Sequence, residues 1–331
     1  MAERYIKIDR ENTYGDGGGG TYKQFLKIAS VDFETSYEWD DIEEANREII
    51  EESYQVQRTG GGSFSMWGRS DELGLLLHAL FGNCKIVNVG SGDAYQMNFT
   101  PDVDAIFSLA ITEAKDKKAY THPGQLIQSI EINAEVGGVM TVEVTTYGNG
   151  AISHGDKEVT TYVSPQMNPI FSLKNAVINL GGGNRTDLKS LSVSINLNIS
   201  EDEHTLGSLD LQYQPPGQRR EVEVNFEFAK EDPDLFDDFI AGTEAELIAT
   251  FETDTEIEAG YPYGFRMIFP RLQYRELSAG ISGRDPVRTS IPAKALYDLD
   301  YSYNSGDGAM ETIDAEMIAI LSGTMTATLS T

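Results

Sequence analysis

Residues 221–228 read EVEVNFEF, a strict alternation of polar and apolar side chains over eight positions. Successive side chains of a β-strand point to opposite faces, so Glu221, Glu223, Asn225 and Glu227 would share one face and valine and phenylalanine the other. A helical period of 3.6 residues would mix the two kinds. The segment therefore predicts an antiparallel strand that is packed on one face and solvated on the other.

The same alternation recurs along most of the chain. It is clearest over residues 128–136, 139–147, 191–199, 247–258 and 296–303. Turn-forming residues separate these runs, as at Gly137-Gly138, at residues 148–150 and at residues 215–217. Short strands with regular Gly and Pro punctuation predict a mainly β fold of sandwich or barrel type.

Two short helices are predicted within this β pattern. Residues 70–82 have Ser70 as a candidate N-cap and Gly82 at the end, and residues 232–242 begin with Asp232-Pro233 and end at Gly242. The two helix starts lie almost half a chain length apart. We therefore expect a duplicated β domain with one packed helix in each copy.

The predicted domains meet at a segment that two prolines interrupt, residues 163–169. Residues 1–165 would form the first domain with helix 70–82, and residues 166–331 the second with helix 232–242. Extended loops and arms complete the expected architecture.

Residues 38–53 allow two interpretations. A helix would place Trp39, Ile42, Ala45 and Ile49 near one face and carboxylates on the other. The same residues could instead belong to a long loop that runs to Trp67. The pattern leaves both open.

The chain is strongly acidic. Its 331 residues include 53 Asp and Glu against 25 Lys and Arg, a formal net charge of −28. Counterion release from a nucleic-acid backbone requires basic patches, so this mode of binding is excluded. Adaptation to salt, solubility and a surface that repels DNA are the remaining interpretations of the acidity.

Catalytic and metal-binding motifs are absent from the sequence. The histidines His78, His122, His154 and His204 lack the spacing of metal ligands. There is no G-x-S-x-G nucleophile elbow and no phosphate-binding loop. The single cysteine, Cys84, follows a predicted helix end and is expected to be structural. We therefore expect no enzyme activity, no cofactor and no metal.

Several predicted strands carry their acids on one face. Carboxylates at positions i and i+2 lie about 7 Å apart and repel one another, so these faces must meet water. They are either ordinary solvated sandwich faces or the lining of a negatively charged, water-filled conduit along which DNA slides. The candidate lining residues are Glu131, Glu135, Glu143, Glu221, Glu223, Glu227, Glu252, Asp254, Glu256 and Glu258.

The order of these features resembles the two-domain tail-tube (major tail) proteins of long-tailed, siphovirus-like bacteriophages. An extended polar stretch, residues 3–30, precedes DELGLLLHALFG at 71–82, which resembles the family's LG-x-LL-x-x-x-LG segment. The segments that follow in order are YQMNFTP at 95–101, FSL at 107–109, QSIEINAEVGG at 128–138, KSLSVSINL at 189–197, DLFDDFIAG at 234–242 and MIFP at 267–270.

The resemblance implies a structural virion protein that polymerises with itself. Three duplicated subunits would form a ring with pseudo-six-fold symmetry, and stacked rings would form the hollow tail tube through which double-stranded DNA passes during ejection. Its further partners would be the tape-measure protein and the tail-terminus proteins. Residues that would reach the next ring are Glu34, Tyr37, Trp39, Ile42, Ile49, Tyr54 and Trp67.

The expected location is the virion tail, after assembly in the host cytoplasm. No apolar run approaches the roughly 18 residues of a membrane span, and residues 1–5, MAERY, lack the apolar core of a signal peptide.

Two alternatives compete with the tail tube. One is a different virion β-protein, such as a head decoration or baseplate component. The other is a carbohydrate-binding β-sandwich, for which Tyr261-Pro262-Tyr263 is the one local aromatic cluster.

Overall fold

The computed structural model describes residues 4–18, 23–42, 52–157, 168–201, 203–217, 219–277, 288–306, 308 and 310–324. Within these ranges the chain is mainly β, with large antiparallel sheets and two α-helices, which confirms the predicted fold class. Of the strands in the described ranges, eighteen form one continuous hydrogen-bonded network and two more form a separate hairpin.

The first half of the chain contains ten of the strands and one helix. They are β1 Tyr5–Arg10, β2 Lys23–Leu26, β3 Ile28–Ile42, β4 Glu52–Trp67, α1 Ser70–Phe81, β5 Gly82–Asn88, β6 Ala94–Pro101, β7 Leu109–Ala114, β8 Ala119–Glu135, β9 Thr141–Gly148 and β10 Ser153–Gly155.

The second half contains the other ten strands and the second helix. They are β11 Ala176–Leu180, β12 Gly183–Arg185, β13 Leu188–Asn196, β14 Glu221–Phe228, α2 Pro233–Ala241, β15 Glu244–Glu258, β16 Tyr261–Tyr274, β17 Thr289–Leu296, β18 Asp298–Asn304, β19 Met310–Ala315 and β20 Ile318–Thr324.

One eight-stranded antiparallel sheet runs through both halves. Its order is β3-β4-β9-β8-β13-β14-β17-β16. The β8–β13 ladder, residues 129–135 against 190–196, joins the two halves edge to edge. The first four strands thus come from the first half and the last four from the second.

Two outer sheets share the long strands β8 and β16 with the eight-stranded sheet. The first outer sheet has the order β2-β1-β7-β8-β10, using the early residues of β8. The second outer sheet has the order β5-β6-β20-β16-β15-β11-β12. The hairpin β18–β19 packs on this second sheet through Tyr303 and Ala315.

The two halves repeat one pattern of strand pairing. In the first half the shared pairings are β1–β2, β1–β7, β3–β4, β4–β9, β7–β8, β8–β9 and β8–β10. Their counterparts in the second half, in the same order, are β11–β12, β11–β15, β13–β14, β14–β17, β15–β16, β16–β17 and β16–β20. In each half the helix follows the second strand of the eight-stranded sheet. Among the described residues, the pair β5–β6 occurs in the first half alone and the hairpin β18–β19 in the second half alone.

The main core lies between the eight-stranded sheet and the outer sheets and extends through both halves. One row of the sheet's apolar face consists of Phe64, Val144, Ile130, Ile195 and Val222, all of them buried. Burial of such a face contributes about 25 cal/mol of stability per Å² of apolar surface removed from water, and this is the principal stabilising contribution for a sheet of this kind.

The helix predictions hold closely, apart from one cap. α1 ends at Gly82, whose φ of 87° suits glycine, but Arg69 and not Ser70 occupies the N-cap position. Ser70 is already helical, and its buried hydroxyl has no hydrogen-bond partner among the described residues. In α2 the carboxylate of Asp232 accepts from the backbone N–H groups of Asp234 and Leu235, as predicted.

The helical interpretation of residues 38–53 is wrong at both ends. Residues 38–42 belong to β3 and residues 52–53 to β4, which pair with each other as a long hairpin. Trp39 and Ile42 therefore lie on a strand, whereas Ala45 and Ile49 fall outside the described residues. Pairing between β3 and β4, which the local periodicity of the sequence does not reveal, favours the hairpin over the helix.

The predicted domain boundary at residues 165–166 also falls outside the described residues. The chain that follows it still contacts the first half. Phe171 N–H donates to the Gly68 carbonyl at 3.0 Å, and Met140 N–H donates to the Phe171 carbonyl at 2.8 Å.

A polar sheet face and an open strand edge as the candidate functional site

Six of the ten predicted acids lie on one face of the eight-stranded sheet. Residues directly opposite in an antiparallel ladder share a face. One register row runs from Ser65 through Glu143, Glu131 and Ser194 to Glu223 and Lys294 and continues to Gln273 on β16. The remaining acids of the six occupy neighbouring rows of the same face and are Glu135, Glu221 and Glu227. We call this surface the polar face.

Bases are few on the polar face. Lys294 Nζ lies 2.7 Å from Glu221 Oε1, and hydrogen bonding to Lys294 lowers the pKa of that carboxyl below its ordinary value. Arg288 reaches Glu227 Oε1 at 2.9 Å. Among the described residues, Glu143 and Glu223 have no hydrogen-bond or ion-pair partner. The polar face therefore keeps an excess of negative charge.

Two further acids of β3 belong to the polar face. Asp32 is opposite Ser63, and Glu34 is opposite Gly61, and both line a cleft of about 460 Å³ together with Glu143. Glu34 was expected to reach the next ring, and Asp32 is not among the predicted lining residues. The alternation in VDFETSYE, residues 31–38, was the signal that could have identified both.

The other four predicted acids lie elsewhere. Glu252, Asp254, Glu256 and Glu258 are on β15, which belongs to the second outer sheet. Asp254 binds Lys174 Nζ at 3.1 Å, and this interaction lowers its pKa. Glu258 accepts from the backbone N–H of residue 91 at 2.8 Å, and Glu256 from that of residue 260 at 3.1 Å. The structure does not bring these four together with the six.

The hairpin β3–β4 extends beyond the sheet with exposed apolar side chains. Its exposed members are Tyr37, Trp39, Ile42, Tyr54 and Val56. Glu34 lies on the polar face, Trp67 is half-buried at the base of β4, and Ile49 is outside the described residues.

The base of the hairpin is fixed to the second half. Arg58 forms two hydrogen bonds with the carboxylate of Asp210 and lies over the ring of Tyr37. A pair of bonds between the planar guanidinium and a carboxylate sets the orientation of both groups.

The outer edge of β3 is open. β3 pairs with β4 on one side and, within the described ranges, with no strand on the other. A cleft of about 630 Å³ runs along this edge, lined by residues 28–33, by residues 113–116 at the end of β7 and by Arg4 and Tyr5. The corresponding edge of β13 in the second half is filled by β8.

The described residues contain no group of three or more His, Cys, Asp or Glu side chains placed to hold a metal ion. Burial raises the pKa of the Cys84 thiol to about 12. Burial lowers the pKa of His78 to about 4, and its ring packs edge-on against Phe107 at 5.0 Å. Both side chains are half-buried, and Cys84 packs against the main core. Across the described ranges, neither helix reaches the length and apolar character needed to cross a membrane.

Comparison with known proteins identifies a matching protein family. The family model described as "Phage tail tube protein" matches residues 1–295. A search of curated proteins gave no match.

Proposed function

Because this chain belongs to the phage tail tube protein family, we propose that it polymerises into stacked three-subunit rings that form the hollow tail tube. The family makes it a structural component of a phage tail. The finer assignment rests mainly on one observation, the β8–β13 ladder. That ladder joins two similarly paired half-sheets edge to edge and leaves the matching edge of β3 open.

The junction between neighbouring subunits would repeat the junction between the halves. β3 would add to the chain directly after β16 in the next copy, at the place that corresponds to the end of β8, to which β13 adds within one chain. Glu244 and Ala245 already pair with Gln273 and Leu272, so the new ladder would begin near Arg275. Burying the open edge also removes a hazard, because unpaired strand edges promote aggregation.

The two halves would then be a duplicated tail-tube domain, with their boundary near residues 165–166. Each subunit supplies eight strands, so three subunits would close an inner barrel of 24 strands with pseudo-six-fold symmetry. The interface is heterologous, and three copies close it into a ring.

The polar face would line the lumen. Its carboxylates would repel the phosphates of double-stranded DNA, which would pass during ejection without specific binding. The four β15 acids lie on another sheet and are not part of this proposed lining. Their ion pair and backbone hydrogen bonds support a role in holding loops of the second outer sheet.

The hairpin β3–β4 would reach the next ring. Its exposed Tyr37, Trp39, Ile42 and Tyr54 suit a surface that becomes buried on stacking, because aromatic side chains are enriched in the buried centres of interfaces. The tape-measure protein and the tail-terminus proteins would be the further partners. The location would be the virion tail, after assembly in the host cytoplasm. No enzymatic step is proposed.

Electron microscopy and sedimentation of the purified chain at increasing concentration test this proposal. Three 36.5 kDa chains give a ring of about 110 kDa, and stacked rings give tubes with a central channel. Hydrogen exchange of residues 28–33 should slow at least tenfold on ring formation, as β3 gains a partner. Rings in which these amides exchange as fast as in the monomer would contradict the proposed junction.

A further inference from the structure

α1 and α2 occupy corresponding places in the two halves, and their ends can be aligned at Gly82 and Gly242. Both glycines have positive φ and terminate their helices. In this alignment Leu235 corresponds to Leu75, and both are buried in the main core. Phe236 corresponds to Leu76 and Ile240 to Leu80.

These last two pairs of corresponding side chains differ sharply in exposure between the two helices. Leu76 and Leu80 are 0 % exposed, whereas Phe236 is 48 % and Ile240 is 67 % exposed. Phe236 and Ile240 are one helical turn apart and form a single apolar ridge. We call these two side chains the α2 ridge.

The second half helps to cover α1. β16 and β20 pack on α1, together with β5 and β6 of the first half. Arg220, which precedes β14, donates to the Leu80 carbonyl at 3.1 Å and lies over the Phe81 ring. α1 is therefore buried at the junction between the halves, whereas the α2 ridge has no such cover within the described part of the chain.

We propose that the α2 ridge docks on the first outer sheet of the neighbouring copy of this chain. The inference rests on the proposed ring, in which the junction between halves recurs between subunits. The elements that correspond to β16 and β20 are β8 and β10, so these would approach α2 from the next subunit. Ile152, directly before β10, is 44 % exposed and offers an apolar contact there. The proposal makes α2 part of the subunit interface.

The test is the double substitution F236Q/I240Q, which keeps good helix-forming residues and removes the apolar ridge. The variant loses the burial of the exposed parts of two large apolar side chains at the interface. The concentration at which half of the chains are assembled should therefore rise about thirtyfold. L299Q/M310Q is the matched control. It alters two similarly exposed apolar side chains on the β18–β19 hairpin and should assemble like the wild type.

Sedimentation velocity and electron microscopy read out assembly, and circular dichroism confirms that each variant is folded. Loss of rings in F236Q/I240Q with normal rings in the control supports the proposal. Normal rings in both variants would overturn it and leave the ring proposal standing. A wild-type chain that stays monomeric at every concentration would overturn both.

Hydrogen exchange of the wild-type chain gives an answer that does not depend on the variants folding. Amides of residues 233–241 should exchange more slowly in the ring than in the monomer. Unchanged exchange in α2, together with slowing in β3, would place the interface at the sheet edge alone and refute docking of the α2 ridge.

Discussion

Replacement of Glu143 by glutamine should stabilise the isolated subunit. Glu143 on β9 lies directly opposite Glu131 on β8, on the exposed polar face. Like charges in directly opposite positions of an antiparallel pair destabilise the sheet. The Glu131 carboxylate is partly fixed, because Asn133 Nδ2 donates to it at 2.9 Å. E143Q removes the repulsion and keeps the size and shape of the side chain.

The magnitude follows from Coulomb's law. Two unit charges roughly 6 Å apart repel by about 0.7 kcal/mol in water and about 2.8 kcal/mol at an effective dielectric of 20. Both side chains are exposed, so the value lies toward the lower figure. We expect E143Q to raise the free energy of unfolding by about 0.5–1 kcal/mol in dilute buffer. In 1 M salt, where the screening length is about 3 Å, most of the gain should vanish.

Urea denaturation at low and high salt, followed by circular dichroism at subunit concentrations below assembly, measures this effect. E223Q is the matched control, because Glu223 lies on the same face but opposite Lys294. Because Glu223 faces a lysine and not a carboxylate, its neutralisation relieves no repulsion across the ladder and should leave stability unchanged or slightly lower. A loss of stability in E143Q, or a gain that salt does not alter, would refute the reasoning. Either result would mean that local packing outweighs charge on this face.

Three further predictions concern groups that are buried or half-buried. Glu72 is 1 % exposed, and burial raises its carboxyl pKa from 4.5 to about 7, so between these pH values the folded state holds a proton that the unfolded state has released. The free energy of unfolding should therefore fall by up to about 3 kcal/mol as pH rises from 4.5 through 7, and urea titration of E72Q should lack this fall. Lys7 Nζ lies 3.1 Å from Asp9 Oδ2 with both side chains buried, so K7M removes a charged partner from a buried carboxylate and should lower the free energy of unfolding by roughly 1–3 kcal/mol in the same assay. An unchanged free energy of unfolding would refute this. Burial raises the pKa of Cys84 to about 12, so native iodoacetamide labelling at pH 8 should be at least about 100-fold slower than in urea; equal rates would show that the site opens readily.

Local pattern determined much of this protein. Alternation predicted the strands and their faces, because the two-residue period of a strand is a property of neighbouring residues alone. Cap chemistry located both helices within a residue or two, since Asp232, Gly82 and Gly242 satisfy backbone groups close to them in the chain. The resemblance to the tail-tube family, read from the order of these segments, agrees with the family match.

Tertiary structure decided which alternating strands share a sheet. Residues 252–258 alternate as clearly as residues 221–228, yet β15 lies in the second outer sheet and β14 in the eight-stranded one. Periodicity fixes the face on which a side chain points, whereas the identity of the neighbouring strand depends on pairing between residues far apart in sequence. The hairpin β3–β4 replaced a plausible helix for the same reason. The burial of α1 and the exposure of the α2 ridge likewise follow from the elements packed around each helix, which neither helix sequence encodes by itself.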